Sequence, residues 1–314
     1  MAIFDKPIRI GTRGSKLALW QAYHVEEKLQ AAGLETEIVI FTTKGDKILD
    51  RSLAKIGSKG VFTEELEIAL RENDIDIAVH SAKDVQSSLP DDLELLAFME
   101  RENPSDVVLS FDPEFSLDRE NIVVGTSSTR RRALLQKYYP HVKTVEARGN
   151  LQTRLQKLEE KQFDGMLLAY AGVHRMDYLK WVTQTLSLDK FIPAVGQGSV
   201  AIESAKNLEP ARKEKLKSVL NHEVTAVCLR TERAFLRTME GGCSIPSFAL
   251  ASLHNNQVSI TGGIISLDGQ QMIRETFSGD LAEAESIGKK LAETVLEKGG
   301  KEILQNIRNQ QQQS

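Results

Sequence analysis

The chain has 314 residues, 41% of them hydrophobic and 27% charged, with a formal net charge of -4. That length supports two or three domains with separate cores, and the acidic balance argues against a general nucleic-acid binder. Two cysteines cannot build a disulfide framework, no apolar run reaches the length of a membrane span, and MAIFDKPIRIGT lacks the pattern of a signal peptide. A cytoplasmic location is therefore expected, with neither membrane nor nucleic acid as partner.

Taken in chain order, IRIGT, EIVIFTT, IDIAVHS and LELLAFM predict strands, each short and rich in Ile, Val and Leu. Between them, SKLALWQAYHVEEKLQAAG and FTEELEIALREN have helical spacing, and Gly33 closes the first. The alternation predicts a largely parallel sheet with helices on its faces. After RENPSD the pattern restarts with NIVVGT, a helix from SSTRRRALLQKYY, VKTVE, a helix after RGN, and FDGMLLAYAG. RIGTRGSKLAL and VVGTSSTRRRALL both run from strand through Gly-Thr and a serine into a helix, a short echo that fits two similar α/β lobes. PAVGQGSVAIES offers a loop and a strand able to return the chain to the first lobe. From Glu223 a helix precedes strands whose hairpin turns are marked by Asn-Asn and Asp-Gly, and a final helix starts near Leu281. This is a small α+β domain. The tail NQQQQS is of low complexity and is expected to be disordered. The expected domains are 1–100 with 200–220, 101–199, and 221–314.

Arg13, Lys83, Arg130, Arg131, Arg148 and Arg175 all lie in segments that follow the C-terminal end of a predicted strand. In open parallel sheets ligands bind at that edge. Ser15, Ser127 and Ser128 sit where helices are predicted to start, so unpaired N–H groups and the helix dipole favour an anion there. Singly, each cation is equally well explained as a surface residue. Together they predict one cleft for a ligand with several carboxylates or phosphates. Truncating Arg131 or Arg148 to leucine is expected to impair ligand handling and to spare the fold.

Other positions stay open on pattern alone. Lys55 and Lys59, in AKIGSKGVF with Gly57 and Gly60, fit a flap over the cleft and a solvated loop equally. Asp84 reads best as a salt-bridge partner of a neighbour such as Lys83, or as a helix cap. HEVTA at His222 begins like a zinc-protease helix, but Ala226 stands where the second histidine should be. The histidines are scattered, so no metal site is expected. Cys228 shares a helical stripe with Val224, Thr231 and Phe235 and reads as a small core residue. Cys243, in the glycine-flanked turn GGCSIP, is equally compatible with a structural turn residue and a reactive or modified thiol.

GTRGSKLALWQA, TKGDKILD, KIGSKGVFTEELE, DIAVHSAKDV, GTSSTRRRALL, EARGNLQTRL, AVGQGSVAIE and EGGCSIP occur in this order along nearly the whole chain. The ordered set resembles the porphobilinogen deaminase (hydroxymethylbilane synthase) family. Departures are few: Thr129 replaces a hydrophobic residue before the arginine pair, Gln86 replaces a frequent proline after KDV, and AGVHRMD varies AGLxRLG. None removes a charged or thiol position.

The resemblance implies two lobes like those of type II periplasmic binding proteins, with mostly parallel sheets, plus a small α+β C-terminal domain. It implies an enzyme that joins four porphobilinogen molecules head to tail into hydroxymethylbilane, releasing ammonia, on one covalent dipyrromethane per chain. Cys243 matches the cysteine that carries this cofactor through a thioether. Asp84 corresponds to the catalytic carboxylate, which would balance the cationic azafulvene left when ammonia departs. Lys83, Ser128, Arg130, Arg131, Arg148 and Arg154 fall on positions associated with the cofactor. Arg13, Ser15, Arg175 and Phe62 fall on positions associated with substrate, and Lys55 and Lys59 in the active-site loop. A monomer is implied, with hand-over of product to uroporphyrinogen-III synthase. A periplasmic-type binding protein would share the lobes but has no use for GGCSIP.

Overall fold

Ile8 and Ile10 are buried on the same face of strand β1 (Ile8–Arg13), as residues two apart on a strand must be. In the computed structural model, which describes residues 6–47, 63–242 and 245–313, this strand lies inside the first of two α/β sheets. Lys55, Lys59, Phe62 and Cys243 lie outside the described residues. The described residues of Met1–Asp50, Lys59–Glu102 and Ser199–Val227 form one compact unit, and those of Asn103–Gly198 and Cys228–Ser314 the other.

The first unit is a five-stranded sheet in the order β2 (Thr36–Phe41), β1, β3 (Ile77–Ser81), β10 (Val200–Ala205), β4 (Leu93–Phe98). β2, β1 and β3 are parallel, and β10 is antiparallel to both of its neighbours, so four of the five strands share one direction. The returning strand expected from SVAIES is β10. Helix α1 (Lys16–Ala31) lays Ala22, Val25 and Leu29 against Ile8, Ile10, Ile77 and Val79, joined by Leu216 and Leu220 of a later helix. A four-residue helix, α2 (Lys44–Lys47), follows β2. On the opposite sheet face, where Ala78 points, α3 (Glu64–Arg71) buries Leu66, Ala69 and Leu70 with Ile75 and Leu93. Burying two large aliphatic side chains in each helix, Val25 and Leu29 in one and Leu66 and Leu70 in the other, at roughly 1.5–3 kcal/mol each, outweighs helix propensity in holding these elements.

The second unit repeats the plan in the order β7 (Lys143–Val145), β6 (Val123–Gly125), β8 (Gly165–Ala169), β5 (Asp106–Leu109), β9 (Val182–Thr185). Here β5 is the reversed strand. The expected fold class is the one adopted, with one antiparallel strand in each otherwise co-directional sheet. β5 (DVVL) and β9 (VTQT) were not among the predicted strands. Helices α4 (Thr129–Tyr138), α5 (Leu151–Glu159) and α6 (Tyr170–Arg175) follow β6, β7 and β8.

After α7 (Pro210–Leu220) of the first unit comes α8 (Glu223–Thr238), then an antiparallel sheet of β11 (Ser247–His254), β12 (Gln257–Ile265) and β13 (Met272–Asp280). The Asn-Asn turn is formed by Asn255 and Asn256 at φ 49° and 61°, and Gly269 stands at φ 74° in the second. These positive values are why asparagine and glycine occupy the turns. Gly269 is buried against α4: a Cβ there would stand 2.6 Å from the carbonyl oxygen of Ala133. Phe248 and Ile265 join the hydrophobic cluster that holds Leu134 and Leu135 of α4, so the three-stranded sheet and α4 share one core.

Two expectations are corrected. The tail is not disordered through Gln313: α10 (Lys301–Gln313) follows α9 (Ala284–Val295), and buried Ile303, Leu304 and Ile307 give it an apolar face that carries the polar end along. In the α8 stripe Cys228, Thr231 and Phe235 are buried as predicted, but Val224, in the first turn, is exposed.

Candidate active site

In the first unit, β1 ends at Arg13, and Ser15 caps α1 by accepting a hydrogen bond from the Ala18 N–H at 3.3 Å. β3, its parallel neighbour, runs into a single 3₁₀ turn, Ala82–Asp84, which holds Lys83 and Asp84. Arg13 therefore stands at the C-terminal end of β1, and Lys83 and Asp84 just beyond that of its neighbour β3. Ahead of the turn, Gln21 donates to Ser81 Oγ at 2.9 Å and the Ala82 N–H donates to the Ser199 carbonyl at 3.0 Å. Behind it, buried His80 lies 3.0 Å from Oε2 of buried Glu203. Asp84 itself is exposed, and among the described residues it enters no salt bridge. The ion pair with Lys83 that pattern alone favoured is not formed.

In the second unit, Ser128 caps α4, its Oγ accepting from the Arg131 N–H at 3.4 Å, while Ser127 Oγ is buried with no hydrogen-bond partner among the described residues. Arg130 and Arg131 turn inward. Both guanidiniums meet Asp106 on β5, Arg130 Nη2 at 2.8 Å and Arg131 Nη2 at 2.7 Å. Arg130 also donates to the Ile192 carbonyl at 2.9 Å, Arg131 to that of Leu167 at 3.1 Å, and Gln197 adds a 2.9 Å bond to the same carboxylate. Burial alone would push the Asp106 carboxyl up, but Arg130 and then Arg131 outweigh it and hold it well below the usual carboxylate range. Burial likewise lowers Arg130, with Asp106 opposing. Truncating Arg131 would leave buried Asp106 with Arg130 as its one cationic partner, so a cost to the fold is expected beside any effect on ligand handling.

The other arginines are more accessible. Arg148 Nε donates to Glu146 at 2.5 Å, and Arg132 pairs with the same carboxylate at 3.2 Å. Arg154, in α5, donates to the Gly149 carbonyl at 2.9 Å, and Arg175, at the end of α6, to that of Gly198 at 2.7 Å. Asp106, Gln197 and Glu146 were missed by sequence reasoning, as was Glu232. Fully buried in α8, Glu232 accepts N–H bonds from Gly196 at 2.9 Å and Ala251 at 2.8 Å. One carboxylate thus ties the loop carrying Gln197 to β11, the strand that begins at Ser247. The only signal for Asp106 was a charge at the head of the apolar run DVVL.

The description "Porphobilinogen deaminase, dipyromethane cofactor binding domain" matches residues 8–213, and "Porphobilinogen deaminase, C-terminal domain" matches residues 226–297. The chain belongs to the porphobilinogen deaminase family. A porphobilinogen deaminase of Cytophaga hutchinsonii is 54% identical over 97% of this chain and 98% of its own length. One of Desulfosudis oleivorans is 50% identical over 97% and 99%. Among solved structures, the periplasmic VFT2 domain of Bordetella pertussis BvgS matches 68% of this chain and 86% of its own at 16% identity and a TM-score of 0.42. The methionine binding protein MetQ matches 67% and 87%, also at 16% and 0.42.

The activity is the family's: porphobilinogen is polymerised, with loss of ammonia, into the linear tetrapyrrole hydroxymethylbilane on a dipyrromethane cofactor, a step of haem biosynthesis. Among the described residues no helix is long and apolar enough to cross a membrane.

Proposed function

We propose that Asp84 is the carboxylate that carries this polymerisation. The supporting observation is that it stands exposed beyond the end of β3, beside Lys83 and outside any salt bridge among the described residues. A structural carboxylate is normally neutralised, as Asp106 is. An exposed, unneutralised one can balance positive charge developing on a pyrrole as ammonia departs, and can accept or return the proton that moves with it.

The cofactor would be held chiefly by the second unit. Dipyrromethane brings two pyrrole rings, each with an acetate and a propionate, as the primer for chain growth. The residues fit a polycarboxylate: six arginines gather in this unit, Arg130 and Arg131 on Asp106, Arg132 and Arg148 on Glu146, and Arg154 and Arg175 on backbone carbonyls. Ser127 Oγ, buried and unpartnered at the start of α4, offers one more donor. In this reading Lys83, Ser128, Arg148 and Arg154 bind cofactor carboxylates. Arg130 and Arg131 contribute positive field from behind, since their guanidiniums are held by Asp106 and by the carbonyls of Ile192 and Leu167. Arg13, Ser15, Arg175 and Phe62 serve the incoming substrate, Lys55 and Lys59 the active-site loop, and Cys243 the thioether. With it goes a three-domain division at about residues 100, 200 and 221, and a cytoplasmic monomer that hands its product to uroporphyrinogen-III synthase.

Steady-state turnover of Asp84→Asn tests the central assignment. Asparagine keeps the shape and one acceptor but no charge, so turnover should fall about 10²–10⁴-fold in a folded protein. Asp84→Glu should retain more. A stable Asp84→Asn enzyme working within about tenfold of the parent, short of that range, would remove Asp84 from the chemistry.

A further inference from the structure

The turn that carries Asp84 has only three residues, so a single 3₁₀ turn cannot fix it and its flanks must. On the leading side the restraint is the sheet, through Ser81 and Ala82. On the trailing side Val85 is buried, and next comes Gln86. The Gln86 amide donates to Glu67 Oε1 at 3.0 Å and to Thr63 Oγ1 at 3.3 Å. Thr63 Oγ1 in turn donates to the same Glu67 oxygen at 2.6 Å. Thr63 and Glu67 are both buried, at the start of α3, which is packed into the sheet by Leu66 and Leu70. A buried carboxylate is a strong acceptor in a fixed place.

We propose that Gln86 is a positioning residue for Asp84, fastening the trailing end of its turn to α3 through Glu67 and Thr63. The inference rests on the reading of Asp84 as the catalytic carboxylate. Gln86 stands where a proline is frequent in the family this sequence resembles. Proline restrains the backbone covalently by fixing φ near −65°; glutamine has no such restraint, and here the amide bonds supply one. Val85 has φ −75° and ψ 136°, the region that a residue before proline must occupy. The backbone ahead of position 86 is therefore already compatible with either device.

The test compares Gln86→Met, which keeps bulk and loses the donor, with Gln86→Pro and Asp84→Asn. Cofactor content is read by intact mass and folding by the thermal midpoint. A displaced catalytic group lowers kcat, whereas a merely structural loss lowers the midpoint and leaves turnover per folded molecule unchanged. Gln86→Met should lose roughly tenfold in kcat, since misplacement by an ångström can cost up to about a hundredfold. Its KM and cofactor mass should be unchanged, and Gln86→Pro should recover most of the rate. Parental kcat in Gln86→Met beside an impaired Asp84→Asn would overturn the proposal alone. So would a Gln86→Pro enzyme as slow as Gln86→Met. Parental kcat in Asp84→Asn would overturn the catalytic reading itself and this inference with it.

Discussion

Arg131 and Asp106 are joined by two hydrogen bonds to one oxygen, Nε and Nη2 to Oδ1 at 3.0 and 2.7 Å, with side chains 7% and 0% exposed. At that depth the pair belongs to the fold before it belongs to any ligand. Asp106→Asn would leave two buried guanidiniums short of their counter-charge and should lower stability by about 3–5 kcal/mol. Arg131→Leu should be destabilised on a similar scale, measured by denaturant unfolding. An Asp106→Asn protein as stable as its parent would mean that the guanidiniums find other partners.

The same pair sets an acid limit. A carboxylate whose folded pKa lies below its unfolded value, about 3.9, binds fewer protons folded than unfolded. Its contribution is complete above that value and is lost as pH falls through the depressed one. Asp106 should therefore add no slope to stability between about pH 5 and 9, and should add one below about pH 4. Comparing unfolding free energies of parent and Asp106→Asn from pH 2.5 to 5 checks this. The variant's acid limb should be the shallower.

Cys243 and Cys228 should differ in denatured mass. A thioether survives unfolding, so the parent should exceed its sequence mass by two linked pyrrole units. Cys243→Ser should lack the increment, and Cys228→Ser, which alters a buried residue of α8, should keep it. An unmodified mass in active enzyme would exclude the attachment.

Arg148 contrasts with Arg131. Its partner Glu146 is 49% exposed, so Arg148→Leu should leave the fold nearly unchanged, as exposed pairs contribute at most about 1 kcal/mol. Losing one charge-assisted bond to a ligand carboxylate should cost about 1.5–3 kcal/mol in cofactor assembly or chain growth. Arg148→Lys should recover part of this, because it keeps the charge without the fork. Equal assembly rates in all three proteins would move the carboxylate contact elsewhere.

What the sequence disclosed and what it hid follow from the range of the interactions. Elements such as α1 and β1 were legible because Ala22, Val25 and Leu29, or Ile8 and Ile10, repeat at the period of their own structure. Arg13, Lys83 and Arg148 were placed at strand ends by local pattern alone. Asp106 was not, since its partners Arg130, Arg131 and Gln197 lie distant in the chain and only folding brings them to β5. Nor was Glu232, which accepts from the backbone N–H groups of Gly196 and Ala251, partners that leave no mark on composition. The inward turn of Arg130 and Arg131 was invisible for the same reason: a run of arginines looks alike whether its counter-ion comes from solvent, ligand or a neighbouring strand.

Gly269 bears on which parts of this chain can change length. Hairpin turns at the surface are ordinarily where insertions are tolerated, and Asn255–Asn256, exposed at the end of β11, is such a place. The turn at Gly269 is not, because it abuts the backbone of α4 at Ala133 and Lys137. One added residue there would press on the helix whose first turn presents Ser128, Arg130 and Arg131. Across related sequences the first turn should vary in length, while the second should keep its residue count and its glycine.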